Sequence, residues 1–219
     1  MLNKTLNYIL ELLFPRRCVV CLKRGTDLCA ECLNKADLRQ EPLADWIISV
    51  FDYRDPIIKK SIWGLKYRNK KGIAEILAHP LYERLIEEMA DLKTFHGFNN
   101  KTLLIPIPLS SKKRRTRGYN QSELLAEGLR KLDTENLFEI DRNVLTKNRE
   151  TESQMEIKNR ALRLKNPAGC FSISKPDLVK GRNVILIDDV VTTGATLTEA
   201  KRELKKAGVK KVIALTIAH

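Results

Sequence analysis

Val184-Ile185-Leu186-Ile187-Asp188-Asp189-Val190-Val191-Thr192-Thr193-Gly194-Ala195-Thr196-Leu197 is the stretch on which the reading of this chain turns. Four apolar residues end in two carboxylates, a small-residue loop rich in hydroxyls follows, and Glu199-Ala200-Lys201-Arg202-Glu203-Leu204 then reads as a helix. An unbroken apolar run suits a parallel strand covered by helices on both faces of its sheet. Ligands of such sheets bind outside the carboxyl ends of the strands, where Asp188 and Asp189 fall. Ionised carboxylates there can accept hydrogen bonds from vicinal hydroxyls. Thr192, Thr193, Gly194, Ala195 and Thr196 form a turn that Gly194, lacking Cβ, lets pass close to an anion. The unpaired N–H groups and dipole of the next helix favour a phosphate at the same place. No Gly-Lys-Ser/Thr follows, so the lysine with which a Walker loop reaches terminal phosphates is lacking. An acidic strand end before a Thr-capped helix would account for Asp-Asp alone. The whole run meets several needs of one ligand in order, and that ligand class is a sugar phosphate.

Outward from this run, strands and helices alternate. Trp46 to Tyr53 reads as a strand, and Asp55-Pro56 starts a helix whose packing side carries Ile57, Ile58, Ile62, Trp63 and Leu65. Gly72 to Ala90 is a second helical region with a bend expected at Pro80. Thr102 to Leu109 reads as a strand running into a Pro-punctuated turn, then a basic loop. Gly118-Tyr119-Asn120-Gln121-Ser122-Glu123 begins another helix, with Asn120 and Glu123 spaced as a capping box. Val144-Leu145-Thr146 is a short strand, 147–168 suits a polar lid, and Lys211 to Ile217 is a buried strand. The alternation indicates a parallel-sheet α/β domain over 45–219.

The 219 residues suffice for one such core and a small appended module, and no periodic repeat points to a solenoid. Forty basic against 27 acidic residues leave a net charge of +13, which points to polyanions and above all to nucleic acid. The charge is clustered. Lys112, Lys113, Arg114, Arg115 and Arg117 fall within seven residues that contain no acid, and Lys59, Lys60, Lys66, Arg68, Lys70 and Lys71 form a second group. Residues 199–211 instead mix Lys with Glu, as a solvated helix face does. Leu2, Leu6, Ile9, Leu10, Leu12, Leu13 and Phe14 suit an amphipathic helix over 1–13. That segment is too short to span a bilayer and lacks a small-residue cleavage site, so a cytoplasmic protein is expected.

Cys18-Val-Val-Cys21 and Cys29-Ala-Glu-Cys32 are two Cys-x-x-Cys pairs seven residues apart. Two such knuckles let four thiolates converge tetrahedrally on one structural zinc with no open position, so a zinc module is expected over 14–36. Metal binding would supply much of the folding energy of so small a piece. Paired disulfides are the competing reading; the leftover Cys170 and a reducing compartment weigh against them.

The run from Val184 resembles the phosphoribosyl-diphosphate (PRPP) motif of type I phosphoribosyltransferases. The resemblance implies that Asp188 and Asp189 hold ribose hydroxyls and that Thr192 to Thr196 hold the 5′-phosphate. Hypoxanthine-type members carry Asp where this chain has Thr192, which argues against purine salvage of that type. Taken with the Cys-x-x-Cys pairs, Leu65-Lys66-Tyr67-Arg68, Ile105-Pro106-Ile107-Pro108 and Arg117-Gly118-Tyr119-Asn120-Gln121, the chain resembles the ComF family along nearly its whole length. These are competence-associated, phosphoribosyltransferase-like proteins of bacteria. The resemblance implies a part in natural transformation, handling incoming single-stranded DNA at the inner face of the membrane. A DNA-translocating helicase or membrane-associated uptake machinery are candidate partners.

Two readings follow. As a binding protein, the chain keeps the PRPP pocket while Lys112, Lys113, Arg114, Arg115, Arg117 and Tyr119 meet DNA, with Tyr67 and Tyr119 stacking on bases. As a Mg²⁺-dependent transferase of nucleotide metabolism, it places cations around departing diphosphate. Ser110, Arg114 and Arg117 after Pro108, with Lys66 and Arg68, are candidates for that role. A lid over 147–166 would add Arg149, Gln154 and Arg160. No acceptor-binding segment is identifiable.

Overall fold

Residues 184–187 have no polar face, so they cannot lie at a surface, and they fill the middle of the sheet. The computed structural model describes residues 15–39, 41–96, 101–148 and 169–219. The elements are α1 (Ala30–Leu33), β1 (Ile47–Phe51), α2 (Pro56–Tyr67), α3 (Gly72–His96), β2 (Thr102–Pro106), α4 (Ser111–Arg117), α5 (Gln121–Leu132), β3 (Phe138–Ile140), β4 (Leu145–Lys147), β5 (Phe171–Ile173), β6 (Asn183–Val190), α6 (Ala195–Lys206) and β7 (Lys211–Ala218). Five strands form one sheet in the order β1-β7-β6-β2-β3, every pairing parallel. β4 and β5 form a separate antiparallel pair.

Alternate residues of the central strands face two apolar layers. Leu104, Ile185, Ile187, Ile213 and Leu215 meet α2, α3 and α5 on one side. Leu103, Ile105, Val184, Leu186 and Val212 meet α6 and the β4–β5 pair on the other. β2 leads away to β3 at one edge, whereas its neighbour β6 leads to β7 on the opposite side. That divergence opens a crevice at the carboxyl ends of β2 and β6, the place where open α/β sheets bind ligands.

The helix starts have local causes. Asp55 Oδ1 accepts from Ile57 N (2.7 Å) and Ile58 N (2.9 Å), and Pro56 stands at the first helical position of α2. Asn120 Oδ1 accepts from Ser122 N (3.1 Å) at the start of α5. Glu123 does not complete a capping box: it takes a hydrogen bond from the Asn120 side chain and pairs with Arg114.

Some expectations change. The basic stretch is not a loop but α4, capped by Ser110 and ended by Gly118 at φ +78°. Trp63 is not on the packing side of α2: it is 54% exposed. α3 runs on through Pro80 to His96. The helix expected over 1–13 lies outside the described residues, as does the lid beyond Asn148 with Arg149, Gln154 and Arg160. The cysteine segment is not an independent piece, because Cys18, Leu28, Cys29 and Cys32 share one apolar cluster with α2 and α3.

Candidate functional site

β6 keeps its ladder with β7 through Asp188 and Val190, so both carboxylates are held on strand backbone rather than on a loop. Asp188 Oδ1 accepts from Ser122 Oγ of α5 (3.2 Å) and from Asp189 N (2.9 Å). Asp189 Oδ1 lies 2.8 Å from Lys66 Nζ of α2. Burial and the adjoining Asp189 carboxylate push Asp188 up to about 7, against the pull of the Asp189 N–H, Lys66 and Ser122. Burial works against the charge on Lys66, but Asp189 and then Asp188 outweigh it and hold the ammonium above the ordinary lysine range. Three elements therefore converge on one compact group of two acids, a cation and a hydroxyl.

The loop after β6 is anchored at its start by Val191 N donating to Ala218 O (3.0 Å). Gly194 stands before α6 at φ +73°, a left-handed conformation that side chains other than glycine adopt at a cost. Thr193 Oγ1 accepts from Ala195 N (3.4 Å), and Thr198 N donates to Gly194 O (2.8 Å). The first turn of the 12-residue α6 thus starts within the Thr192 to Thr196 stretch, at Ala195. Across the crevice, Ile107 N donates to Ile187 O (2.9 Å) and Asn120 Nδ2 donates to Ile107 O (2.9 Å), which seats the Pro106–Ser110 turn beside β6.

Of the residues singled out in the sequence, Lys66 joins Asp188 and Asp189 directly. Ser110 is buried, and its Oγ accepts from Lys113 N (3.4 Å) as the cap of α4. Arg114 pairs with Glu123 at 3.0 Å. Lys112 and Arg115 are exposed and Lys113 is partly covered. Arg68 lies over the Trp63 ring at 5.1 Å and Arg117 over the Tyr67 ring at 5.4 Å, so both guanidinium groups face aromatic rings. Tyr119 is partly buried and donates its hydroxyl to Leu65 O, with Lys71 over its ring at 4.8 Å. Sequence reading passed over Ser122 and Gln121 as site residues. Gln121 is buried, and its Nε2 has no partner among the described residues. The usable signal was that a polar pair opens a helix beside the strand carrying the acids.

The four sulfurs of Cys18, Cys21, Cys29 and Cys32 lie within 4.8 Å of one another, and Cys21 Sγ is 3.6 Å from Cys29 Sγ. Tetrahedral Zn–S bonds of about 2.3 Å require sulfurs roughly 3.8 Å apart, so the set fits such an ion. The first knuckle closes with Leu22 N donating to Cys18 O (3.0 Å), Leu22 itself at φ +65°. Backbone N–H groups of Cys21, Cys29 and Val20 overcome burial and bring the Cys18 thiol down to about 6. Burial and the neighbouring thiols push Cys32 up to about 12. Four cysteines this close can hold a metal.

Residues 72–219 match the family described as the phosphoribosyl transferase domain, and with the parallel sheet this defines a type I phosphoribosyltransferase fold. The chain is 35% identical to Competence protein F of Haemophilus influenzae, over 84% of this chain and 75% of that protein. It is 30% identical to DNA utilization protein YhgH of Escherichia coli K12, over 84% and 74%. Against Competence protein ComFC of Bacillus subtilis the identity is 29%, over 83% and 67%. The chain belongs to the ComF family of phosphoribosyl transferase domain proteins. β1 precedes the matched region yet pairs with β7 along Ile47 to Phe51, so the sheet is larger than the match.

Proposed function

We propose that the chain binds PRPP with Mg²⁺ at the carboxyl ends of β2 and β6, and handles incoming single-stranded DNA in natural transformation on the cytoplasmic side of the membrane. What carries the reading is the convergence of Asp188, Asp189 and Lys66 at the end of the central strand, directly before the Gly194 turn. Asp188 and Asp189 take the ribose hydroxyls. Thr192, Thr193, Gly194, Ala195 and Thr196 take the 5′-phosphate at the start of α6. Lys66, with Ser110 from the facing turn, takes the diphosphate, while Arg68 and Arg117 lie over the exposed Trp63 and Tyr67 rings. Mg²⁺ bound with the diphosphate would neutralise its charge. A zinc ion on Cys18, Cys21, Cys29 and Cys32 is structural in this reading, since four thiolates leave no position for a substrate.

The DNA part is supported by the net charge of +13 and by α4, which carries Lys112, Lys113, Arg114, Arg115 and Arg117 without a carboxylate. The relatives' names speak of competence and DNA utilization. Among the described residues, no helix is long and apolar enough to cross a membrane.

Calorimetric titration with PRPP and Mg²⁺ tests the pocket. Saturable binding is expected in the wild type and its loss in Asp188→Asn/Asp189→Asn. A wild type that binds no PRPP, or a double variant that binds equally well, overturns the assignment. Diphosphate release in the same samples, supplied with candidate acceptors, separates a transferase from a binding protein.

A further inference from the structure

The sequence shows two separate basic clusters, 59–71 and 112–117. The fold joins them. Trp63 and Tyr67 stand one helical turn apart on the outer face of α2, 54% and 58% exposed, with ring centroids 5.3 Å apart. Arg68 caps the indole at 5.1 Å, and Arg117, arriving from the end of α4, caps the phenol at 5.4 Å. The result is a guanidinium–indole–phenol–guanidinium series at near-constant spacing, set at the seam between the two clusters. Lys71 over Tyr119 continues the positive surface to the α4–α5 junction.

Packing alone does not account for this arrangement. Ile58, Ile62 and Leu65 already bury the inner side of α2, and Trp63 adds nothing to that layer. A large aromatic pair left in water beside arginines matches what unpaired bases need: flat faces to stack on and cations for the phosphates between them. A duplex keeps its bases stacked on one another and has no use for such faces.

From the ladder we infer a base-stacking platform for single-stranded nucleic acid, in which successive bases take the places of the two guanidinium groups over Trp63 and Tyr67, whose rings are tilted 54° to each other, and Arg68, Arg117 and Lys71 swing to follow the backbone. Lys66 lies between the two aromatic positions in sequence but turns the other way, to Asp189. A strand on the platform therefore passes over the helix that forms one wall of the sugar-phosphate pocket. The platform rests on the single-stranded DNA reading above, and its test separates the two.

The full chain is titrated with a dT oligonucleotide of about 20 nucleotides over a range of salt concentrations, following tryptophan fluorescence. Trp63→Ala and Tyr67→Ala are each expected to weaken binding about tenfold without changing the slope against log salt, because stacking releases no counterions. Arg68→Gln and Arg117→Gln should instead flatten that slope. Quenching should disappear in Trp63→Phe and persist in Trp46→Phe. Retained PRPP binding in Trp63→Ala would show that the pocket and fold are intact. Steep, salt-dependent wild-type binding that neither aromatic variant changes overturns the platform and leaves the DNA reading standing. No wild-type binding overturns both. A fluorescence response to phosphatidylglycerol vesicles but not to dT would make the patch a membrane-contact face and overturn the platform.

Discussion

Replacing Lys66 with Met removes the only cation that the structure pairs with Asp189 among the described residues, while keeping much of the side-chain volume. The Lys66 and Asp189 side chains are only 17% and 11% exposed, which places their pair near the buried limit. Removing one partner of a buried pair costs about 3–5 kcal/mol because the other charge is left uncompensated. The residual exposure favours the lower end, about 3 kcal/mol, or a fall in Tm of about 6–12 °C for a chain of this size. The sign of the pH dependence follows from Asp188, which burial and Asp189 already push up to about 7 and which Lys66 pulls back down. An acid raised above its unfolded value leaves stability untouched below that value and subtracts from it as the pH rises from there to the folded value, above which the loss is complete. Without Lys66 the folded value rises further. Wild type and variant lose the same stability from Asp188 up to about pH 7, so the added deficit of Lys66→Met opens only above about pH 7 and grows toward the variant's own higher value. Lys66 itself is raised, so its favourable contribution is present throughout this window. Mg²⁺ supplies a replacement cation and should raise the Tm of the variant more than that of the wild type. Thermal melts at pH 5 and pH 8, with and without Mg²⁺, read all three effects. A deficit below about 2 °C at pH 8, or one of equal size at pH 5, would refute the electrostatic account of the site.

Metal removal should lower the melting of the whole chain rather than add a minor early transition, because Cys18, Leu28, Cys29 and Cys32 belong to the same apolar cluster as α2 and α3. Structural zinc in small modules contributes about 10–16 kcal/mol, comparable with a domain's entire stability, so calorimetry after chelation should show one transition moved down by more than about 10 °C; an unmoved main transition would contradict it. Gly128→Ala should destabilise by about 1–3 kcal/mol despite the better helix former, since the added Cβ would lie 2.6 Å from Ala78 Cβ at the crossing of α3 and α5. Urea unfolding of Gly128→Ala and of Gly128→Ala/Ala78→Gly checks this, with the second substitution expected to restore most of the loss.

How far the sequence could be read depended on whether a signal was local. Residues 184–187, 103–107 and 212–215 are buried on both faces, and their unbroken apolar runs mark them as parallel strands. β3 and β5 left no comparable trace. Each has three residues, and Glu139, Ile140, Ser172 and Ile173 are not fully buried, so neither periodicity nor length distinguishes them. α4 was masked by its composition: seven residues with no buried side chain look like a charged loop, and the helix depends on Ser110 and Gly118 at its ends. In the site, Asp188 and Asp189 were legible because they interrupt an apolar run. Ser122 was not, because its role requires α5 to meet β6, sixty-six positions along the chain. Trp63 misled because helical spacing alone cannot say which edge of an apolar stripe meets the core.

α2 explains why the cysteine module, the acidic site at the end of β6 and the exposed aromatic pair occur in one chain. Its residues leave the helix about 100° apart, so neighbours in sequence serve different surroundings. Ile58, Ile62 and Leu65 fix the helix to the sheet. At Gly64 an added Cβ would lie 3.1 Å from Val19 Cγ1, so the first cysteine knuckle rests directly on the helix backbone. Asp27 fastens the turn that joins α2 to α3: its carboxylate reaches Lys70 at 3.1 Å, and a Cβ at Gly72 would lie 2.9 Å from its other oxygen. Tyr119 closes the remaining side by donating to Leu65 O. With its rotation set on three sides, Lys66 has one direction left, toward Asp189, and Trp63 and Tyr67 are turned to solvent as a consequence. The cysteine module is therefore a bracket for the helix that carries the pocket's cation. That is why its residues are built into the main core instead of hanging from it.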